Sequence, residues 1–144
     1  MATNEQTTAG NDPAHTDELT VLQTATPPDI PDGVDVTTVL LQFPPGHPGN
    51  PPHRHPGPVF GYMLEGEMLF EVEGQAPYVV RAGDAFWEPG RDVIHYQALN
   101  VSPDSWCRFV VTMVCPPGAP LLTPVDDDEL ARRRHLRVPG DASI

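Results

Sequence analysis

The chain predicts an all-β fold, a sandwich or barrel in a single domain, and three observations lead there. Its 144 residues suffice for one buried core and are too few for a core plus a second folded unit. Nineteen prolines and twelve glycines punctuate it densely, which disfavours long helices and favours short strands joined by turns. Between these breakers stand short runs rich in Val, Thr, Leu, Phe and Tyr, residues that fit a pleated, half-buried surface.

Residues 1–18 are rich in Thr, Asn, Asp, Gly and Ala without hydrophobic periodicity, so they read as a flexible N-terminal arm that contains His15. Residues 19–23 read as a short edge strand or one exchanged with a partner. A turn-rich stretch through Pro27, Pro28, Pro31 and Gly33 leads to a strand over 36–43. The next segment, 43–58, is stiffened by proline and is unfit for a central strand. Residues 59–64 and 67–72, with Glu65-Gly66 between them, read as a hairpin. Strands over 78–81 and 84–87 flank Ala82-Gly83, and 93–99 and 107–114 supply two more. The domain is thus expected over 19–120, with 121–144 as a C-terminal tail. In that tail, Asp126-Asp127-Asp128-Glu129 followed by Arg132-Arg133-Arg134 is either solvated surface or one short helix whose charges complement its dipole. His135 reads as solvated.

The formal charge is −12, and all eight basic residues are arginine. Such an acidic surface argues against nucleic acid or an anionic membrane as partner and suits a small neutral or weakly acidic ligand. No window approaches the roughly 18 apolar residues that span a bilayer, and the N-terminus lacks the apolar core of a signal peptide, so a cytoplasmic location is expected. Cys107 and Cys115 lie in one apolar run. On a strand rising ~3.3 Å per residue they are too far apart to bridge, and reduced, buried thiols are expected.

The chemistry is concentrated in Pro52-His53-Arg54-His55-Pro56 and in His95, which follows Glu88-Pro89-Gly90. An HxH pair on extended backbone throws both imidazoles to one face. A third imidazole from a separate strand would give three neutral nitrogen ligands converging on one divalent ion.

These residues resemble the cupins, small jelly-roll β-barrels with a metal at the mouth. The first cupin motif reads here as His53-Arg54-His55, then Val59 where a Glu belongs, then Gly66; the second reads Gly83, Pro89, Gly90, His95 and Asn100, with one residue extra between Pro89 and His95. The resemblance covers roughly 36–114 and implies a cupin jelly-roll. Cupin dioxygenases and oxalate-degrading relatives commonly bind iron or manganese through three His and that Glu. Val59 offers no donor, so the departure implies a site of neutral ligands that polarises bound oxygen strongly and favours Zn2+, with Fe2+ the alternative. His47 is either a fourth imidazole or an exposed loop residue.

Leu40, Val59, Met63, Phe70, Trp87, Phe109, Val111 and Met113 are expected to point inward. Of these, Val59, Met63, Trp87 and Met113, together with Gln97, are the expected substrate pocket. Gln97 lies two beyond His95 and is expected to share its face, meeting a ligand oxygen or a buried neighbour. No catalytic group beyond the metal site is marked. The chain resembles the cupin-type cyclases of aromatic polyketide pathways, which implies metal-dependent aldol ring closure of a small-molecule poly-β-ketone. Two other functions stand beside it, a three-histidine iron dioxygenase acting on a diketone and a non-catalytic small-molecule binder. A homodimer is expected through the strand at 19–22.

Overall fold

The computed structural model describes residues 19–25 and 33–140; the arm expected over 1–18 lies outside the described residues. The described chain forms β1 (Leu19–Ala25), β2 (Asp35–Phe43), β3 (His53–Arg54), β4 (Val59–Glu65), β5 (Glu67–Val72), β6 (Tyr78–Arg81), β7 (Ala85–Glu88), β8 (His95–Asn100), β9 (Cys107–Cys115) and β10 (Thr123–Pro124), then α1 (Asp127–Arg133) and a 3-10 turn (Arg134–Leu136). They make two five-stranded antiparallel sheets, ordered β1-β2-β9-β4-β7 and β10-β3-β8-β5-β6. This is the all-β jelly-roll sandwich that the sequence predicts.

Strict alternation builds the first sheet. Along β2, Thr37, Val39, Leu41 and Phe43 are buried, and along β9, Cys107, Phe109, Val111, Met113 and Cys115 are buried. The two strands pair over nine residues, from Asp35 opposite Cys115 to Phe43 opposite Cys107. A slip of one residue would turn both apolar rows to water, so burial pins the register. Leu40, expected inside, falls on the outer parity and Leu41 takes the core position. From the second sheet, Met68, Phe70 and Val72 meet these rows. Phe70 is fully buried with its ring centroid 5.1 Å from that of Phe86, a burial worth about 2–3 kcal/mol.

The hairpin expected over 59–72 is a corner instead. β4 lies in one sheet and β5 in the other, and the two are joined through Gly66 at φ +81°. A Cβ there would lie 2.4 Å from the Trp106 carbonyl oxygen, so the crossing needs glycine. Ala82-Gly83 likewise carries the chain from β6 in one sheet to β7 in the other. A short turn signal specifies reversal but not the sheet that receives the next strand, which long-range pairing decides.

The segment read as a tail packs back onto the barrel. β10 pairs with β3, Val125 and Leu130 pack with Ile94 and Tyr96, and Arg54 grips Glu129 through two hydrogen bonds of 3.0 and 2.5 Å. The acidic and basic runs form α1, capped by the Asp126 carboxylate accepting from the Glu129 N–H at 2.8 Å. Arg133 bridges Glu73 and Asp92, and Arg137 binds the buried Glu71 at 2.7 Å. Cys107 and Cys115 are free and buried. No helix among the described residues is long and apolar enough to cross a membrane.

Candidate metal centre

Within the proline-rich segment, expected to hold no central strand, the two residues of β3 lie between β10 and β8 because prolines flank them without occupying them, and His53 stands directly opposite His95. Opposed residues of an antiparallel pair project to the same face, and His55, two further on, returns to it. All three histidines are buried, and one ring nitrogen from each lies within 4.8 Å of the other two. The loop before His95 is stitched to the HxH loop. Gly90 has φ +69° and packs so closely that a Cβ would lie 1.9 Å from the Gly57 carbonyl oxygen. Arg91, at φ 57°, donates its N–H to the His55 carbonyl at 2.6 Å.

The outward nitrogens are committed. His53 Nδ1 donates to the Pro51 carbonyl at 2.8 Å, His55 Nδ1 to that of Leu121 at 2.7 Å, and His95 Nε2 to that of Gln97 at 2.9 Å. A carbonyl only accepts, so each contact assigns the proton to the outer nitrogen and leaves a lone pair on the inner one. His53 Nε2 and His55 Nε2 consequently face each other at 3.1 Å, the separation expected of two ligands each held ~2.0–2.2 Å from one ion. His95 Nδ1 is buried and has no hydrogen-bond partner. Three inward lone pairs held by backbone acceptors are the arrangement in which histidines bind a divalent metal, and the residues fit one. They fit zinc and iron equally on donor type, since imidazole suits both.

Sequence reasoning missed Glu88. Val59 leaves its strand position without a carboxylate, but Glu88 of β7 is paired directly opposite Val59 and is buried. Its Oε1 lies 3.0 Å from His55 Nε2 and its Oε2 3.0 Å from His95 Nδ1. The site therefore contains an acid, contrary to the expectation of neutral groups alone. Burial pushes the Glu88 pKa up, but the close approach and charge of His55 and His95 outweigh it and hold the carboxyl far below its usual range. Burial pulls His55 down, yet the Glu88 hydrogen bond and charge and the Leu121 carbonyl leave it raised overall. His53 is lowered to about 4 by burial and by the charge of His95, against the Pro51 carbonyl, which favours the proton.

The other expected site residues divide. Val59 and Met113 line the cavity beside the histidines, with Phe43, Phe70, Phe86 and Phe109. Met63 is fully buried in the core, its Sδ 3.8 Å from Cys107 Sγ, and does not line this cavity. Trp87 points away and is 56% exposed, stacked on Phe60, because Phe86 and Glu88 hold the inward parity of β7. Gln97 also faces out, donating to Glu71 at 2.8 Å. In the β5–β8 ladder Val72 pairs with His95 and Glu71 with Gln97, so Tyr96 is an extra residue. That bulge flips the parity and sends Ala98, not Gln97, into the cavity. His47 does not join the three histidines: its ring stacks on Phe43 at 4.4 Å and its Nδ1 accepts the Gly49 N–H at 2.9 Å. His135 is exposed as expected, and His15 lies outside the described residues.

The chain belongs to the cupins: the family model described as Cupin domain matches residues 39–113. No curated protein sequence matches the chain significantly. Among solved structures it is similar to oxalate oxidase in complex with the substrate analogue glycolate, at 25% identity and TM-score 0.54 over 94% of this chain and 74% of that one. A conserved protein with a double-stranded β-helix domain from Klebsiella pneumoniae is similar at 19% identity and TM-score 0.50, over 78% of this chain and 89% of that one. KdgF from a Halomonas species is similar at 24% identity and TM-score 0.45, over 78% and 82%.

Proposed function

We propose that the protein is a metal-dependent enzyme that takes a β-dicarbonyl unit at the three-histidine centre and promotes aldol ring closure of a poly-β-ketone. This is the chemistry implied by its resemblance to cupin-type polyketide cyclases such as that of the resistomycin pathway. The observation that carries the metal-dependent part is the set of three buried imidazoles whose outer N–H groups are committed to carbonyls and whose inner nitrogens converge. A divalent ion held there polarises paired carbonyl oxygens and acidifies the carbon between them.

The chain supplies the setting. Val59, Phe70, Phe86, Phe109 and Met113 wall the site and exclude water, which strengthens electrostatic interactions inside it. The cavity is about 40 Å³, room for roughly three waters. Only the reacting end of a long substrate fits beside the histidines, with the remainder outside the cavity. Zinc suits this non-redox chemistry, with iron the alternative.

A second reading is an iron-dependent dioxygenase of a diketone or similar small molecule. It is supported by the narrow cavity and by the likeness to oxalate oxidase. Elemental analysis of protein purified without added metal, paired with oxygen uptake on a β-diketone, separates the two. Zinc without oxygen consumption, and its loss in His55→Ala, is the expected result. Iron with oxygen consumption replaces the cyclase by the dioxygenase, and failure to bind either metal after reconstitution leaves only the non-catalytic binder.

A further inference from the structure

We infer that Glu88 is the fourth, anionic ligand of the metal centre, delivered across the sheet from the position opposite the one that Val59 leaves empty. The inference rests on the metal-binding reading above and adds to it the charge and the donor set.

Register comes first. Val59 and Glu88 are paired Cα to Cα in the β4–β7 ladder, and opposed side chains of an antiparallel pair start ~4.5–5.5 Å apart on one face. A carboxylate on residue 88 therefore reaches the space that a carboxylate on residue 59 would reach. Glu88 comes from the sheet facing the one that carries His53 and His95, so the four groups close on the centre from both sides.

Direction comes second. Glu88 is 3% exposed and its two oxygens each lie 3.0 Å from an inner nitrogen, one on His55 and one on His95. If Glu88 served only to orient these rings it would accept their outer N–H groups, as carboxylates behind ligating histidines do. Those N–H groups are already taken by Leu121 and Gln97 carbonyls. The carboxylate instead faces the lone-pair side, where an oxygen anion and a nitrogen lone pair repel unless a cation lies between them. Its 3.0 Å spacings match the 3.1 Å between His53 Nε2 and His55 Nε2, so the oxygens sit at the same separation from the nitrogens as the nitrogens do from each other.

Composition of the site comes third. Three neutral imidazoles and one carboxylate leave a bound dication with one net positive charge. A buried carboxylate among apolar walls is costly unless a positive partner neutralises it, and no Lys or Arg lines this cavity. A dication held by the three imidazoles is the positive partner that the buried carboxylate needs.

The test uses zinc ion alone as probe and chelator competition as readout, with Co2+ absorption as a second measure of the donor set. Wild type, His55→Ala, Glu88→Gln and the transposed double variant Val59→Glu/Glu88→Val are compared. Glu88→Gln is expected to weaken zinc retention at least 10–100-fold and to alter the Co2+ spectrum. The transposed variant is expected to recover most of the affinity, because the carboxylate returns from the facing position. Glu88→Gln binding zinc as tightly as wild type, while His55→Ala does not, overturns the inference and leaves the three-histidine centre standing. Loss in Glu88→Gln without recovery in the transposed variant overturns it as well. Wild type failing to bind zinc or cobalt at all overturns the metal reading itself.

Discussion

Replacing Asn100 by alanine should unfold the protein more easily and leave its metal affinity nearly unchanged. Asn100 is 3% exposed at the end of β8, and its Nδ2 reaches the carbonyls of Ser105 at 2.7 Å, Pro44 at 3.0 Å and Phe43 at 3.3 Å. An amide has two hydrogens, so the two shorter contacts are full bonds and the third shares one of them. Its Oδ1 accepts the Ser102 N–H at 3.0 Å. The side chain thus ties the end of β2 to the turn that leads into β9. Alanine removes about three hydrogen bonds at ~1 kcal/mol each and leaves buried carbonyls partly unmet, for a loss of about 2–4 kcal/mol. With a urea m-value of ~1–3 kcal/mol/M, the denaturation midpoint should fall by roughly 1–2 M. A loss below ~0.5 kcal/mol, or a collapse of zinc affinity at unchanged stability, would refute the clamp and place Asn100 in the metal site.

Two further outcomes are expected. With metal stripped by chelator, stability should be greatest near pH 6.5. Unfolded His53 takes up a proton near 6.5 but folded His53 only near about 4, so the unfolded chain binds more protons between those values and stability falls as the pH is lowered through them, by ~3 kcal/mol over the full interval. His55 is raised, burial being outweighed by Glu88, so its contribution is present below 6.5 and is lost as pH rises through its folded pKa. Urea melts between pH 5 and 8 check this: His53→Gln should flatten the acid limb, and a stability rising steadily across the range contradicts it. The thiols should be silent in the native state. Burial and the charge of Glu65 push Cys107 up to about 11, and burial raises Cys115 against a backbone hydrogen bond at Gly57. An aromatic disulfide reagent at pH 8 should titrate two thiols only after denaturant is added; rapid reaction of either in the folded protein would show that β9 opens.

The strands were legible because runs of β-favouring residues stand between proline and glycine breakers. The Val-, Thr- and Leu-rich run at 36–43 and the apolar run at 107–114 mark β2 and β9 with errors of one residue at their ends. The candidate metal centre was legible because HxH on extended backbone must present two rings together, and His95 follows a second stretch that resembles the cupin motif with one residue extra. A count of two from His95 puts Gln97 on the cavity face, but one bulged residue at Tyr96 reverses it. Trp87 faces out because its neighbours Phe86 and Glu88 hold the inward parity. Nothing in the loop around His47 distinguishes an imidazole that ligates from one that stacks on Phe43.

The amino-acid sequence alone thus determined the all-β class, most strand positions and the three histidines, all properties carried by neighbours along the chain. Tertiary structure alone decided that β4 and β5 part at Gly66 into different sheets, that residues 121–140 return to hold His55 through the Leu121 carbonyl, and that Glu88 stands opposite Val59. Each of these depends on which distant strand pairs with which and in what register. That pairing is selected by burial of whole apolar faces across the sandwich, a sum over many residues that no short window of sequence contains.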